Sequence, residues 1–234
     1  MRTMVNADEI LNKVKAENRT ILTEFESKEL LASIGIPITK QTLVTNCNEE
    51  KELLSACENI GYPVVLKLMA EDIVHKSDSG AVKLNIQNAD QAKVAFKELM
   101  AIPSQAKKAI SVQEMAKKPI AEIIIGSLQD PQFGPTVMFG IGGVLVEIMK
   151  DVAFRIAPIT DFDADEMITE IKGFKILDGY RGNPKADLEA IKSTLKKISE
   201  LAFEKQVIGE MDLNPVFVYA DGIKCVDARI ILKK

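Results

Sequence analysis

In the stretch GEMDLNP three polar residues, Glu210, Asp212 and Asn214, alternate with apolar ones. Strand side chains alternate between faces, so these three share one. After the turn signal Asp221-Gly222, a second apolar run carries Asp227. With Ala220 paired to Ile223 across a two-residue turn, Val216 lies opposite Asp227. Val216 shares a face with Asn214 in this reading, so Asn214 and Asp227 become diagonal neighbours. Converging oxygens of this kind suit Mg2+, which takes one or two protein oxygens and leaves its other positions to water and phosphate. The competing reading is a solvated face of an edge hairpin, which Pro215 suggests independently.

Two more residues stand out. Lys67 lies inside VVLKL (residues 64–68), where burying an unpaired ammonium is costly. Either it snorkels to water from a strand end, or it is a cation held to meet a phosphate. His75 is the single histidine of 234 residues, set in a polar loop between VVLKL and AVKLNI. Taken alone, a loop histidine is usually solvated or hydrogen-bonded. One histidine also speaks against a Ser/His/Asp triad.

Weaker signals accompany these. Gln113, Glu114 and Met115 end a strand at the junction of the two halves. Backbone amides there could read an adenine edge while Glu114 or Glu122 reaches a ribose; a plain hinge is the alternative. GIGG, residues 140–143, matches neither a P-loop nor the dinucleotide fingerprint, and a tight turn explains it equally well. Arg155, in VAFRIAP, suits either an ion pair at the core edge or a phosphate contact.

The elements that must position these residues alternate along the chain. Thr23 to Glu26 reads as a capping box opening a helix closed by Gly35 and Pro37. A strand QTLV, a helix ending at Gly61 and Pro63, the strand VVLKL, the His75 loop and the strand AVKLNI follow. A helix from Asn88-Ala89-Asp90 completes an α/β half ending near Pro103. The second half holds strands AISVQEM, AEIIIGS, PTVMFG, VLVEIM and VAFRIAP. Helices over 161–172 and 184–205 come next, and a closing hairpin ends the chain.

Composition bounds the rest. The chain is 47% hydrophobic, enough for a proper core, and its formal charge of −4 argues against a nucleic-acid surface and gives no pull toward anionic membranes. Cys47, Cys57 and Cys225 form neither a disulfide framework nor a zinc motif. No signal peptide or membrane helix is legible, so a soluble cytoplasmic protein is expected.

Three long stretches, GYPVVLKLMAEDIVHKSDSGAVKL, VQEMAKKPIAEIIIGSLQDPQFGPTVMFGIGGVLVEIMKDVAFRIAPI and EMDLNPVFVYADGIKCVDARI, together resemble the β subunit of ADP-forming acetyl-CoA synthetase (acetate–CoA ligase). That family belongs with succinyl-CoA synthetase. The resemblance implies an α/β (α+β) ATP-grasp fold of two lobes with nucleotide in the cleft between them. We expect one lobe over 24–111 and the other over 112–234 with 1–23.

By the same resemblance, Lys67 contacts nucleotide phosphates, Gln113, Glu114 and Met115 border the adenine, and Glu122 is a further nucleotide contact. Arg155 is a fainter one. Asn214 and Asp227 hold Mg2+, His75 is a phosphate carrier, and Asp212 steadies the phosphohistidine. ATP and ADP are substrates, and a separate CoA-binding α subunit completes an α2β2 heterotetramer. Two other readings compete. One is a different ATP-grasp ligase subunit, succinyl-CoA synthetase-type or carboxylate–amine, with no histidine carrier on this chain. The other is a nucleotide-sensing or scaffolding subunit that binds ATP without phosphoryl transfer.

Overall fold

The computed structural model describes residues 6–47, 50–72, 80–143 and 151–233. His75 and the expected strand VLVEIM lie outside them. The chain opens with α1 (Ala7–Ala16) and α2 (Glu24–Ser33). Then come β1 (Gln41–Val44), α3 (Glu50–Ile60), β2 (Val64–Met69), β3 (Val82–Ile86), α4 (Ala89–Ala101) and β4 (Ala109–Glu114). β5 (Ala121–Asp130), β6 (Gly134–Ile141), β7 (Val152–Ile156), α5 (Asp161–Glu170), α6 (Phe174–Leu177) and α7 (Leu188–Glu204) follow. β8 (Ile208–Tyr219), β9 (Gly222–Cys225) and β10 (Ala228–Leu232) close the chain.

Local chemistry sets several of these boundaries. The Thr23 hydroxyl accepts the Glu26 amide while the Glu26 carboxylate accepts the Thr23 amide, so α2 starts with the expected capping box. Thr160 and Asp163 do the same for α5. Asn88 caps α4 by accepting the Gln91 amide. Gly61, at φ +90°, takes the left-handed turn that ends α3.

Two units result: Thr39–Lys117, and residues 6–38 together with 118–233. The expected lobe boundary at residue 24 does not match, because α2 packs against α1 and β10 in the larger unit. In the smaller unit the antiparallel sheet has the order β1-β4-β2-β3. Val64, Leu66 and Leu68 pack into one core with Leu53, Phe96 and Leu99 of α3 and α4. By strand alternation, Val65 and Lys67 point to the other face.

In the larger unit the sheet order is β10-β8-β5-β6-β7, with β9 also on β8. Ile123, Ile125, Phe139, Leu213 and Val216 pack with Leu195 and Ile198 of α7 in its core. Every strand pair in both sheets is antiparallel.

Candidate functional site

The larger unit builds its polar site on β8. That strand lies between β5 on one side and β9 and β10 on the other, so it is no edge strand. Pro215 is tolerated there because the ladder is interrupted. Against β5, Ile123 pairs with Val216 and Ile125 with Leu213, so Asn214 and Pro215 together face one residue. This is a β-bulge, which re-aims side chains and breaks the two-residue alternation. Met211 and Leu213 are buried before it, Val216 and Val218 after it. Val216 therefore does not share a face with Asn214, which is exposed.

The expected hairpin register is corrected too. Tyr219 pairs with Gly222, so the two turn residues are Ala220 and Asp221, and the register is displaced by two residues. The return strand is split into β9 and β10 by Val226 and Asp227. Val216 pairs with Cys225 and Leu213 with Ala228, leaving two residues on each strand between. In step, Asn214 stands directly across from Asp227 and Pro215 from Val226. The Val226 amide donates to the Pro215 carbonyl at 3.0 Å, as that pairing requires.

The face away from the core thus carries Glu210, Asp212, Asn214, Asp227 and Arg229. Arg229 pairs with Glu210 at 2.5 Å. Burial pushes the Asp212 carboxyl up, the charges of Glu210 and Asp227 push it further, and Arg229 opposes them. Carboxylate and amide oxygens presented on one face are hard donors of the kind Mg2+ takes. Among the described residues no group of three or more His, Cys, Asp or Glu could cage a metal alone. A site of one or two protein oxygens remains the pattern available.

Glu122 shares this face, since its neighbour Ile123 points into the core and Glu122 pairs with Phe217. Its carbonyl accepts the Gly142 amide at 2.7 Å. A Cβ on Gly142 would come within 3.1–3.3 Å of the β5 backbone, and one on Gly143 would lie 3.9 Å from Glu122 Oε2. Close packing on β5 explains Gly142, and a φ of +82° explains Gly143. Arg155 pairs with Val137 and so projects toward the helix-covered face, opposite to Asp212. Its guanidinium donates to Glu170 at 2.8 and 3.0 Å and to Glu166 at 3.4 Å. Of the two readings of Arg155, the structure gives the ion pair and not the phosphate contact.

The smaller unit holds the other candidates. Lys67 is the fourth of six residues in an interior strand and only 4% exposed, so it does not snorkel to water. It stands across from Ser111, and Val65 across from Gln113. Ser111 and Gln113 are buried as well, and Gln113 Nε2 donates to Ser111 Oγ at 3.0 Å. This face of the sheet is polar and desolvated, where a cation acts at full strength. The hinge amides are committed: Glu114 N–H donates to Lys40 O and Met115 N–H to Pro63 O. Glu114 Oε1 in turn accepts the Lys40 amide at 2.9 Å. An adenine edge read by those two amides is therefore not what the structure offers.

Next to the His75 segment, Asp72 accepts from Ser104 Oγ at 2.6 Å and from the Gln105 amide at 2.8 Å, and these bonds hold its carboxyl below the usual range. Sequence reading missed Lys28, a fully buried lysine of α2. The signal was present, because Glu24, Ser27, Lys28 and Leu31 form one helical stripe with polar residues on its buried side.

The comparisons with known proteins agree with this architecture. Residues 13–232 match the ATP-grasp domain family. The chain is 45% identical, over 99% of its own length and 100% of the relative's, to the acetate–CoA ligase [ADP-forming] I subunit beta of Pyrococcus furiosus. The chain belongs to the family of ADP-forming acetate–CoA ligase β subunits. Its relatives in that family also occur in longer chains: it is 44% identical to 30% of the acetate–CoA ligase [ADP-forming] II of Archaeoglobus fulgidus, over 91% of its own length. Among solved structures, an acetyl-coenzyme A synthetase 1 of Ca. Korarchaeum cryptofilum superposes with a TM-score of 0.86 at 44% identity, covering 97% of this chain and 100% of that one. That structure holds coenzyme A and Mg-AMPPCP, with a phosphohistidine segment pointing towards the nucleotide-binding site. The ATP-grasp fold of this ligase family is thus established for the chain.

Proposed function

We propose that this chain carries phosphate from a phosphohistidine at His75 to ADP, within the reaction acyl-CoA + ADP + phosphate ⇌ free acid + CoA + ATP. The observation that carries the site is the bulge at Asn214-Pro215 facing the strand break at Val226-Asp227. With it, Asn214 keeps the face of Asp212 while Val216 returns to the core, and Asp227 stands across from Asn214 on a face that also carries Glu122, Glu210 and Arg229. The Korarchaeum structure, with its phosphohistidine segment and Mg-bound nucleotide analogue, supports a phosphohistidine and a Mg-bound nucleotide as the reacting partners.

Each residue then has a task. The neutral imidazole of His75 is nucleophilic near pH 7, and its N–P bond breaks as the terminal phosphate oxygen of ADP takes the phosphoryl group. Lys67 holds phosphate oxygens with its ammonium, and its dry surroundings strengthen that hold. Glu122 reaches the ribose, and Gln113, Glu114 and Met115 border the base. Asp212 supplies a carboxylate that steadies the phosphohistidine. Asn214 and Asp227 would hold Mg2+, which when bound neutralises charge on the phosphates. A CoA-binding α subunit in an α2β2 assembly completes the enzyme, and the three free cysteines accord with the cytoplasm.

The experiment uses Mg-ATP labelled on the γ-phosphate. The wild-type chain should take up label that is stable in alkali and lost in mild acid. His75→Ala should abolish label and overall turnover while keeping nucleotide affinity. An active, unlabelled His75→Ala enzyme would instead indicate a ligase that needs no histidine carrier on this chain.

A further inference from the structure

Lys28 lies on the buried side of α2 with no accessible surface, and burying an ammonium is costly. Its Nζ donates to the Val226 carbonyl at 3.3 Å and stands 3.9 Å from Glu24 Oε1, itself buried. Val226 is the first residue of the break between β9 and β10, and Asp227 is the second.

Strand pairing gives the setting of that bond. Directly opposed residues of an antiparallel pair can exchange two hydrogen bonds. Pro215, across from Val226, accepts the Val226 amide but has no N–H to give back. Pro215 cannot return that ladder bond, and Lys28 donates to the half-buried Val226 carbonyl from 198 residues away in sequence. Neighbouring bonds fix the same corner: the Cys225 amide donates to Pro37 O at 2.8 Å, and Cys225 Sγ to Asp227 O at 3.2 Å.

We propose that Lys28 is a positioning residue for the metal–nucleotide site: by holding the Val226 carbonyl it sets how the next residue, Asp227, presents its carboxylate beside Asn214. This rests on the assignment of Asp227 as a metal ligand. It gives the cation in α2 a role other than helix packing, and it links the N-terminal helix pair to the site on β8.

The test compares Lys28→Met and Asp227→Ala in the full chain, titrating Mn2+ in the presence of ADP and, separately, metal-free ADP. Groups that orient metal ligands typically contribute 10–100-fold to metal affinity. Lys28→Met should weaken Mn2+ binding roughly 10-fold and leave metal-free ADP affinity within about two-fold. Thermal unfolding of the same samples establishes that they are folded. A folded Lys28→Met protein with wild-type Mn2+ affinity, alongside an Asp227→Ala protein that has lost it, overturns the proposal alone. Unchanged Mn2+ affinity in Asp227→Ala overturns the metal assignment, and the role of Lys28 with it. If Lys28→Met does not fold, Lys28→Gln, with a shorter neutral donor, is read by the same criteria.

Discussion

Lys67 shows how one side chain can be mispriced by the sequence and defined by its neighbours. An ammonium in a strand of valine and leucine reads as either a surface stem or a functional charge. The structure places it on a buried polar face with Ser111 and Gln113, which removes the first option. A hydrogen bond to a charged group contributes about 1.5–3 kcal/mol, so Lys67→Met should weaken ADP binding roughly 10- to 100-fold by calorimetry. Methionine fills a similar volume without a charge to desolvate, so its melting temperature should not fall in step. Equal ADP affinity in the two proteins would take Lys67 out of the phosphate site.

At the scale of elements, the start of α2 gives a pH-dependent prediction. The Glu26 carboxylate closes the capping box and also accepts from Arg19 and Lys13. Its burial alone would raise the pKa, but the bonds from Arg19, the Thr23 amide and Lys13 prevail and bring it from 4.5 to about 2. A depressed carboxylate pKa contributes stability above the unfolded value, and that contribution is lost as pH falls through the folded one. Glu26→Gln should therefore cost about 2 kcal/mol at neutral pH, solvent screening keeping the cost below the full linkage value. The gap to wild type should narrow between about pH 4.5 and pH 2, as followed by denaturant unfolding. A gap that stays constant over that range would mean the carboxylate charge is not what matters. Because α2 also carries Lys28, loosening this cap should weaken Mn2+ binding as well, by less than Lys28→Met does.

For the whole molecule, the relevant observation is that the family's activity is sometimes encoded in a single chain about three times as long. This sequence covers nearly all of the Pyrococcus furiosus β subunit but only 30% of the Archaeoglobus fulgidus ligase. The chain alone should therefore self-label from ATP yet form no ATP from acetyl-CoA, ADP and phosphate. Adding a purified CoA-binding α subunit should restore that synthesis, and light scattering should then give the mass of an α2β2 particle. Sustained ATP synthesis by the isolated chain would contradict the division of labour. Among the described residues no helix is long and apolar enough to cross a membrane.

Much of this was legible in the residues alone. Capping signals and turn glycines placed the helices, apolar runs placed most strands, and the three long motifs pointed to the family. Those features are local, fixed by side-chain and backbone chemistry within a few residues. The polar alternation at Glu210, Asp212 and Asn214 was likewise visible in one strand. What required tertiary structure was everything that depends on pairing. The bulge at Asn214-Pro215 cannot be read from period-two alternation, because it arises from a mismatch in length between β8 and β5. The register that sets Asn214 across from Asp227 depends on where the turn closes, and one proline missing one N–H made room for a lysine 198 residues away. The fate of Arg155 turned on which face of β7 met α5. Local chemistry determined the elements; the long-range pairing of strands decided which side chains meet.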